Sequence, residues 1–310
     1  MITENQESLN KRINEAIDRL SALRDLKQAV LDLEACGPIA VEPLRKFLFT
    51  RDRSGIFEPR CRAVEVLAAL GAKEVLMDFL ARFRPKLVPG SEIGNLKSEV
   101  EIEEEPSFGK EHLYSNFDIP DPVEQAGDEA VANAVARALM KWPDDDVFTL
   151  LLETTKRKLL AGVVEALGEY RRPEVIPVFA SALGDDFYRP AAENAFRKLG
   201  VQACPCLLQL AATKTPTPEA ESESSRRWRR SALRLFAELH QGEDLPASVC
   251  SLMTDADPQI ALLACSLLLP RVSGTEREKV AARLVDLLDN TDWLFRAEVE
   301  ELLIRYSIIQ

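Results

Sequence analysis

The 310 residues carry a formal charge of −12, are 46% hydrophobic and 29% charged, and contain only 6% aromatic residues. That charge disfavours a nucleic-acid binder, which must neutralise phosphates, and the longest apolar run, Ile260 to Leu269, is broken by Ser266 and too short to span a bilayer. Met1 to Glu7 lacks the basic and apolar segments of a leader, so a cytoplasmic protein with reduced thiols is expected.

Residues 4–35 read as two helices. The first sets Leu9, Ile13, Ala16, Ile17 and Leu20 on one stripe, and the second runs from about Ala22 to Ala35 and stops at Gly37-Pro38. Together, residues 1–36 form an expected N-terminal helical cap. Further on, Leu160 to Leu183 supplies a template: one helix closed by Leu167-Gly168, then a second opening near Pro173 and Pro177. Ala161, Val164 and Leu167, then Val175, Val178, Phe179 and Leu183, give each helix one apolar stripe. A lone pair cannot bury both stripes, so copies must stack on either side.

The copies can be followed by one large apolar anchor near the end of each first helix. The anchors are Leu33, Leu67, Leu139, Leu167, Phe196, Phe236, Leu267 and Leu303, separated by 34, 72, 28, 29, 40, 31 and 36 residues. A unit of about thirty residues with two insertions fits this series. The first insertion, 85–125, is rich in Pro and Gly and contains the acidic run Glu99 to Glu105; the second, 213–225, is a short flexible Thr/Pro/Glu/Ser run. Both fall in the same kind of turn, so they and the arginines that open the following helices are expected along one edge.

Phe187-Tyr-Arg-Pro-Ala-Ala-Glu-Asn-Ala-Phe-Arg-Lys-Leu-Gly200, continued by Val201-Gln-Ala-Cys-Pro-Cys-Leu-Leu208, resembles the short HEAT-like repeats of the phycobilisome-lyase type. That family's unit has an Arg opening one helix, small residues within it, a closing Leu-Gly, and an apolar-Pro pair opening the next. Arg60, Arg189, Arg229 and Arg296 hold the Arg position, each seven residues before its anchor; Leu160, Ile260 and Ala132 break the pattern. The resemblance implies an all-α, right-handed solenoid of about seven short HEAT-like helix pairs, with residues 1–310 as a single domain.

Chemistry is sparse. No phosphate loop, dinucleotide Gly pattern, nucleophile elbow or His-Glu-x-x-His helix occurs. The deoxyhypusine hydroxylases hold iron on HEAT repeats through His-Glu pairs, but here Leu113 follows His112 and Gln241 follows His240. Cys204-Pro205-Cys206 stands where Ile176-Pro177-Val178 stands in the template, which makes these core cysteines rather than metal ligands. No catalytic, cofactor-binding or metal-binding residue is assigned, and no cofactor is expected.

The candidate partner-binding residues are Arg226, Arg227, Trp228, Arg229 and Arg230, with Arg189 and Arg296. Four guanidinium groups around an indole could take an acidic or phosphorylated segment of a protein partner. Against this, Trp228 holds the packing position of Tyr188 and Phe295, and the register arginines could instead form a ladder with Asp185, Asp186, Asp255 and Asp292. The function expected is a non-catalytic protein-binding scaffold or adaptor, with no membrane contact. Alternatives are a lyase-type chromophore-attachment factor or enzyme subunit, which the resemblance implies, and nucleic-acid binding through Arg226 to Arg230.

Overall fold

A computed structural model describes residues 2–50, 55–83, 122–213, 221–242, 244–290 and 292–308. Among these every regular element is a helix. The chain divides into two compact units, residues 1–142 and 143–310.

The first unit holds α1 (Ile2–Ser21), α2 (Leu26–Cys36), α3 (Val41–Phe49), α4 (Glu58–Ala69), α5 (Lys73–Arg82) and α6 (Pro122–Leu139). Helix α1 buries Ile13, Ala16 and Leu20 and packs on α2, to which Arg19 is tied by a 2.5 Å contact with Asp32. Helix α2 begins four residues later than its apolar pattern suggests. Leu23 and Asp25 both have left-handed backbone, at φ 54° and 46°, and a helix cannot pass through two such residues. Helix α4 then packs on α2, α3, α5 and α6.

The second unit holds α7 (Asp145–Arg157), α8 (Ala161–Tyr170), α9 (Ile176–Leu183), α10 (Arg189–Leu199), α11 (Cys204–Ala212), α12 (Glu223–Leu239), α13 (Ala247–Leu252), α14 (Pro258–Leu268), α15 (Gly274–Leu287) and α16 (Trp293–Arg305). Helices α8, α10, α12, α14 and α16 pack one on the next, as do α9, α11 and α13. All eight anchors are buried. Each full burial of such a side chain contributes about 1.5–3 kcal/mol. The anchor Phe196 meets Phe179 edge to face, with ring centroids 5.6 Å apart.

Three further sequence expectations change in detail. Helix α8 does not close at Gly168 but runs on to Tyr170, and Arg171 in the left-handed region ends it. Gly168 serves packing instead: a Cβ there would lie 3.1 Å from the backbone of Ala195 on α10. The insertions are also narrower than the composition suggests. Residues 122–125 already belong to α6, and Ser222 accepts a hydrogen bond from Ser225 N at 3.1 Å as the N-cap of α12. Residues 84–121 and 214–220, which include Glu99 to Glu105 and His112, lie outside the described residues.

The Pro-bearing openings recur as expected. Short 3-10 turns, Gly37–Ala40, Pro173–Val175 and Gly200–Ala203, lead into α3, α9 and α11. Ile176 and Cys204 each occupy the first helical position, with Pro177 and Pro205 next, where a missing amide hydrogen costs nothing. Asp144 caps α7 by accepting from Val147 N at 3.1 Å, so the Asp144 to Asp146 run opens a helix.

Candidate partner-binding surface

The register arginines share one geometry. Arg60 Nε donates to Leu48 O at 3.0 Å, Arg189 Nε to Leu183 O at 3.2 Å, and Arg229 Nε to Ala211 O at 3.0 Å. Each acceptor lies in the last two residues of the preceding helix: α3, α9 and α11 respectively. Helix C-termini leave carbonyls without intrahelical donors, and their partial negative charge favours a cation. The repeated Arg is therefore a clasp to the end of the preceding helix, made from the first turn of α4 and α10; Arg229 makes it from six residues inside α12, which starts earlier than the register suggests. Arg296 departs from this: it is exposed and has no side-chain partner among the described residues.

Beyond the clasp, each guanidinium meets acid. Arg60 Nη1 reaches Asp128 at 2.9 Å. Arg189 Nη2 lies 2.5 Å from Asp186, a charge contact that is not aligned as a hydrogen bond. Arg229 is only 2% exposed and is held by Glu221 at 3.0 Å and by Asp255. Burial works against its charge, while hydrogen bonds with Asp255 and Glu221 overcome that and hold its pKa above the ordinary value.

The segment Arg226 to Arg230 thus does not present four free guanidinium groups. Arg229 faces inward. Arg230 pairs with Asp257, Nη2 to Oδ2 at 2.6 Å, and with Glu223 at 3.3 Å. Arg227 pairs with Asp186 at 2.8 Å, and Arg226 lies 3.7 Å from Glu223. Counting Arg189, five cations stand against five carboxylates: Asp186, Glu221, Glu223, Asp255 and Asp257. Trp228 is half-buried, as its repeat position suggests, with its indole N–H buried and unbonded.

These contacts also fix which turns are neighbours. Ser224 Oγ donates to Gly184 O at 3.2 Å, joining the start of α12 to the turn before α10. Asp255 and Asp257 join it to the turn before α14, where Asp257 caps the helix by accepting from Gln259 N at 2.9 Å. Of the ladder partners expected from the sequence, Asp186 and Asp255 pair with arginine. Asp185 instead accepts from Phe187 N, and Asp292 from Leu294 N. Sequence reasoning missed Asp257 and the helix-end carbonyls; the Asp-Pro at 257–258, an N-cap followed by Pro, was the available signal for the first.

What the approach to α10 and the first turn of α16 leave open is apolar. Phe187, two residues before Arg189, is 72% exposed, and Trp293, three residues before Arg296, is 76% exposed. Leu294 beside it is 55% exposed.

Every thiol but Cys250 is at least half-buried, as is His240. Cys204 is buried and Cys206 half-buried, and burial raises the pKa of both. Burial likewise pushes Cys265 up to about 12, and burial with nearby Glu58 takes Cys61 to about 11. His240 ends α12, stacks on Phe236 with centroids 5.0 Å apart, and contacts Asp244 O through Nε2 at 3.1 Å. Among the described residues no group of three or more His, Cys, Asp or Glu side chains is placed to hold a metal, and no helix is long and apolar enough to cross a membrane. No protein-family model matches the chain, and no curated protein matches it.

Proposed function

We propose that this chain is a cytoplasmic, non-catalytic protein-binding scaffold, a right-handed solenoid of short HEAT-like helix pairs that presents one edge of turns to its partner. The observation that carries the reading is the exposure of large apolar side chains just ahead of two register arginines: Phe187 before Arg189, and Trp293 and Leu294 before Arg296. Aromatic residues are enriched at protein interfaces, where a rigid ring contributes large contact area. Support for the solenoid comes from the packing of alternate helices on one another and from the recurrence of the arginine clasp at α4, α10 and α12.

An acidic or phosphorylated partner segment at Arg226 to Arg230 would have to displace Glu223 and Asp186, so the apolar turns are the better contact. The test is site-specific photocrosslinking from benzoylphenylalanine at Phe187 or Trp293 in the native cell extract. A discrete crosslinked protein from either position, absent when the probe replaces Thr149 on α7, is the expected result. Crosslinking no different from that control at both positions would refute the scaffold surface.

A further inference from the structure

We infer that the end of the α15–α16 hairpin is a docking site for a basic segment with interspersed apolar residues, carried by a partner protein; this rests on the scaffold reading and names the chemistry of the partner. Arg277 at the start of α15 donates to Tyr306 O beyond the end of α16 at 2.9 Å, so the two helices run antiparallel. The last turn of α15 and the first turn of α16 therefore share one end. That end carries Val285, 46% exposed, together with Trp293 and Leu294.

The rim of this apolar surface is acidic. Asp286, Asp289, Asp292 and Glu298 are all exposed, and none forms an ion pair among the described residues. The C-terminus of α15 adds the negative end of its helix dipole. Arg296 is the one cation in the sequence between Val285 and Glu298. The contrast with the α10–α14 turns is direct: there every guanidinium is matched by a carboxylate, whereas here the carboxylates outnumber the cation four to one. Charge complementarity therefore selects a Lys- or Arg-rich segment, and the exposed indole and leucine select apolar residues within it.

The probe is a fluorescently labelled fifteen-residue peptide of Lys and Leu, compared with Lys/Ser and Glu/Leu peptides of equal length. Fluorescence anisotropy on the full chain should show saturable binding of the Lys/Leu peptide alone, weakening as salt screens the rim. The double variant Trp293→Ala/Leu294→Ser should bind about tenfold more weakly. Asp286→Asn/Asp289→Asn should bind several-fold more weakly, while Glu276→Gln at the far end of α15 should not change binding. Circular dichroism checks that each variant is folded, and the two aspartate replacements, at exposed sites, keep the test open if the double variant unfolds.

Equal binding by all variants, or tighter binding of the Glu/Leu peptide, overturns the inference. So does a dimer of the chain alone that Trp293→Ala dissociates, because the occupant would then be a second copy. Crosslinks from Trp293 to another protein, without binding of the Lys/Leu peptide, would overturn this inference and leave the scaffold reading intact.

Discussion

Arg60 Nη1 donates to Asp128 Oδ1 at 2.9 Å, and this bond between buried side chains closes a stretch of 68 residues of chain. The same guanidinium holds Leu48 O at the end of α3 and lies over the ring of Phe79 at 5.7 Å. One side chain thus joins α3, α4, α5 and α6. Replacing it with Ala takes the Arg60 ion pair from the buried Asp128 and the donor from the end of α3. Arg60→Ala should destabilise the protein by about 3–5 kcal/mol, read from urea denaturation. A cost below about 1 kcal/mol would mean that water fills the gap and the clasp is incidental.

The cluster around Arg229 allows a sharper test. Arg229→Met should cost about 3–5 kcal/mol, because Glu221 and Asp255 would remain buried and unpaired. Adding Glu221→Gln and Asp255→Asn removes both stranded charges and should recover much of that loss. If the triple variant is no more stable than Arg229→Met, the penalty comes from packing rather than charge. Arg296→Ala, at the same register position but exposed, should shift stability by no more than about 0.5 kcal/mol.

Gly168 tests the close approach of α8 to α10. Helix propensity alone favours alanine over glycine by about 0.5–1 kcal/mol. The new methyl would lie 3.1 Å from both Cα and Cβ of Ala195, however, and the backbone atom cannot swing aside. Gly168→Ala should therefore be destabilising by about 1–3 kcal/mol in thermal melts, as overpacked cores generally are. Ala195→Gly in the same chain relieves the Cβ contact and should return part of it. A stabilised single variant would show that the helices separate easily.

The thiols give a pH prediction. The folded pKa of Cys265 is raised from 9.0 to about 12, because burial disfavours the thiolate. The unfolded chain therefore loses that proton first as pH rises, so the contribution is fully present below about 9 and is lost between about 9 and 12. Cys265→Ala should flatten that part of the stability curve, at the cost of some packing. With a thiol reagent at neutral pH, exposed Cys250 should react first, and Cys265 only as fast as the fold opens. Fast modification of Cys265 in folded protein would contradict the burial argument.

The helices and their anchors were legible in the sequence because a buried stripe has a period, and Leu33, Phe196 or Leu303 fall on it wherever they stand. The arginine register was legible for the same reason. What the arginines touch was not. The carboxylates that neutralise Arg227, Arg229 and Arg230 include Asp186, Asp255 and Asp257, which come from turns 26 to 41 residues away. A local count of charge around Arg226 to Arg230 thus gives a basic patch, where the folded chain holds a balanced ionic lattice. Helix ends were hidden for a related reason: Asp25 and Arg171 adopt left-handed backbone without being glycine, and composition carries no sign of it.

The clasps also give the second unit a polarity under mechanical load. Arg189 and Arg229 bolt α10 and α12 to the helices before them, while Ile260 leaves α14 without such a bolt and Arg296 makes none for α16. Pulled from its two ends, the unit should peel from α16 inward and stall at α12, where the buried ionic joint must break as a whole. A partner seated on Trp293, as proposed above, would add a second tie to α16, which Arg277 already holds through Tyr306 O, and so raise the force at which peeling begins.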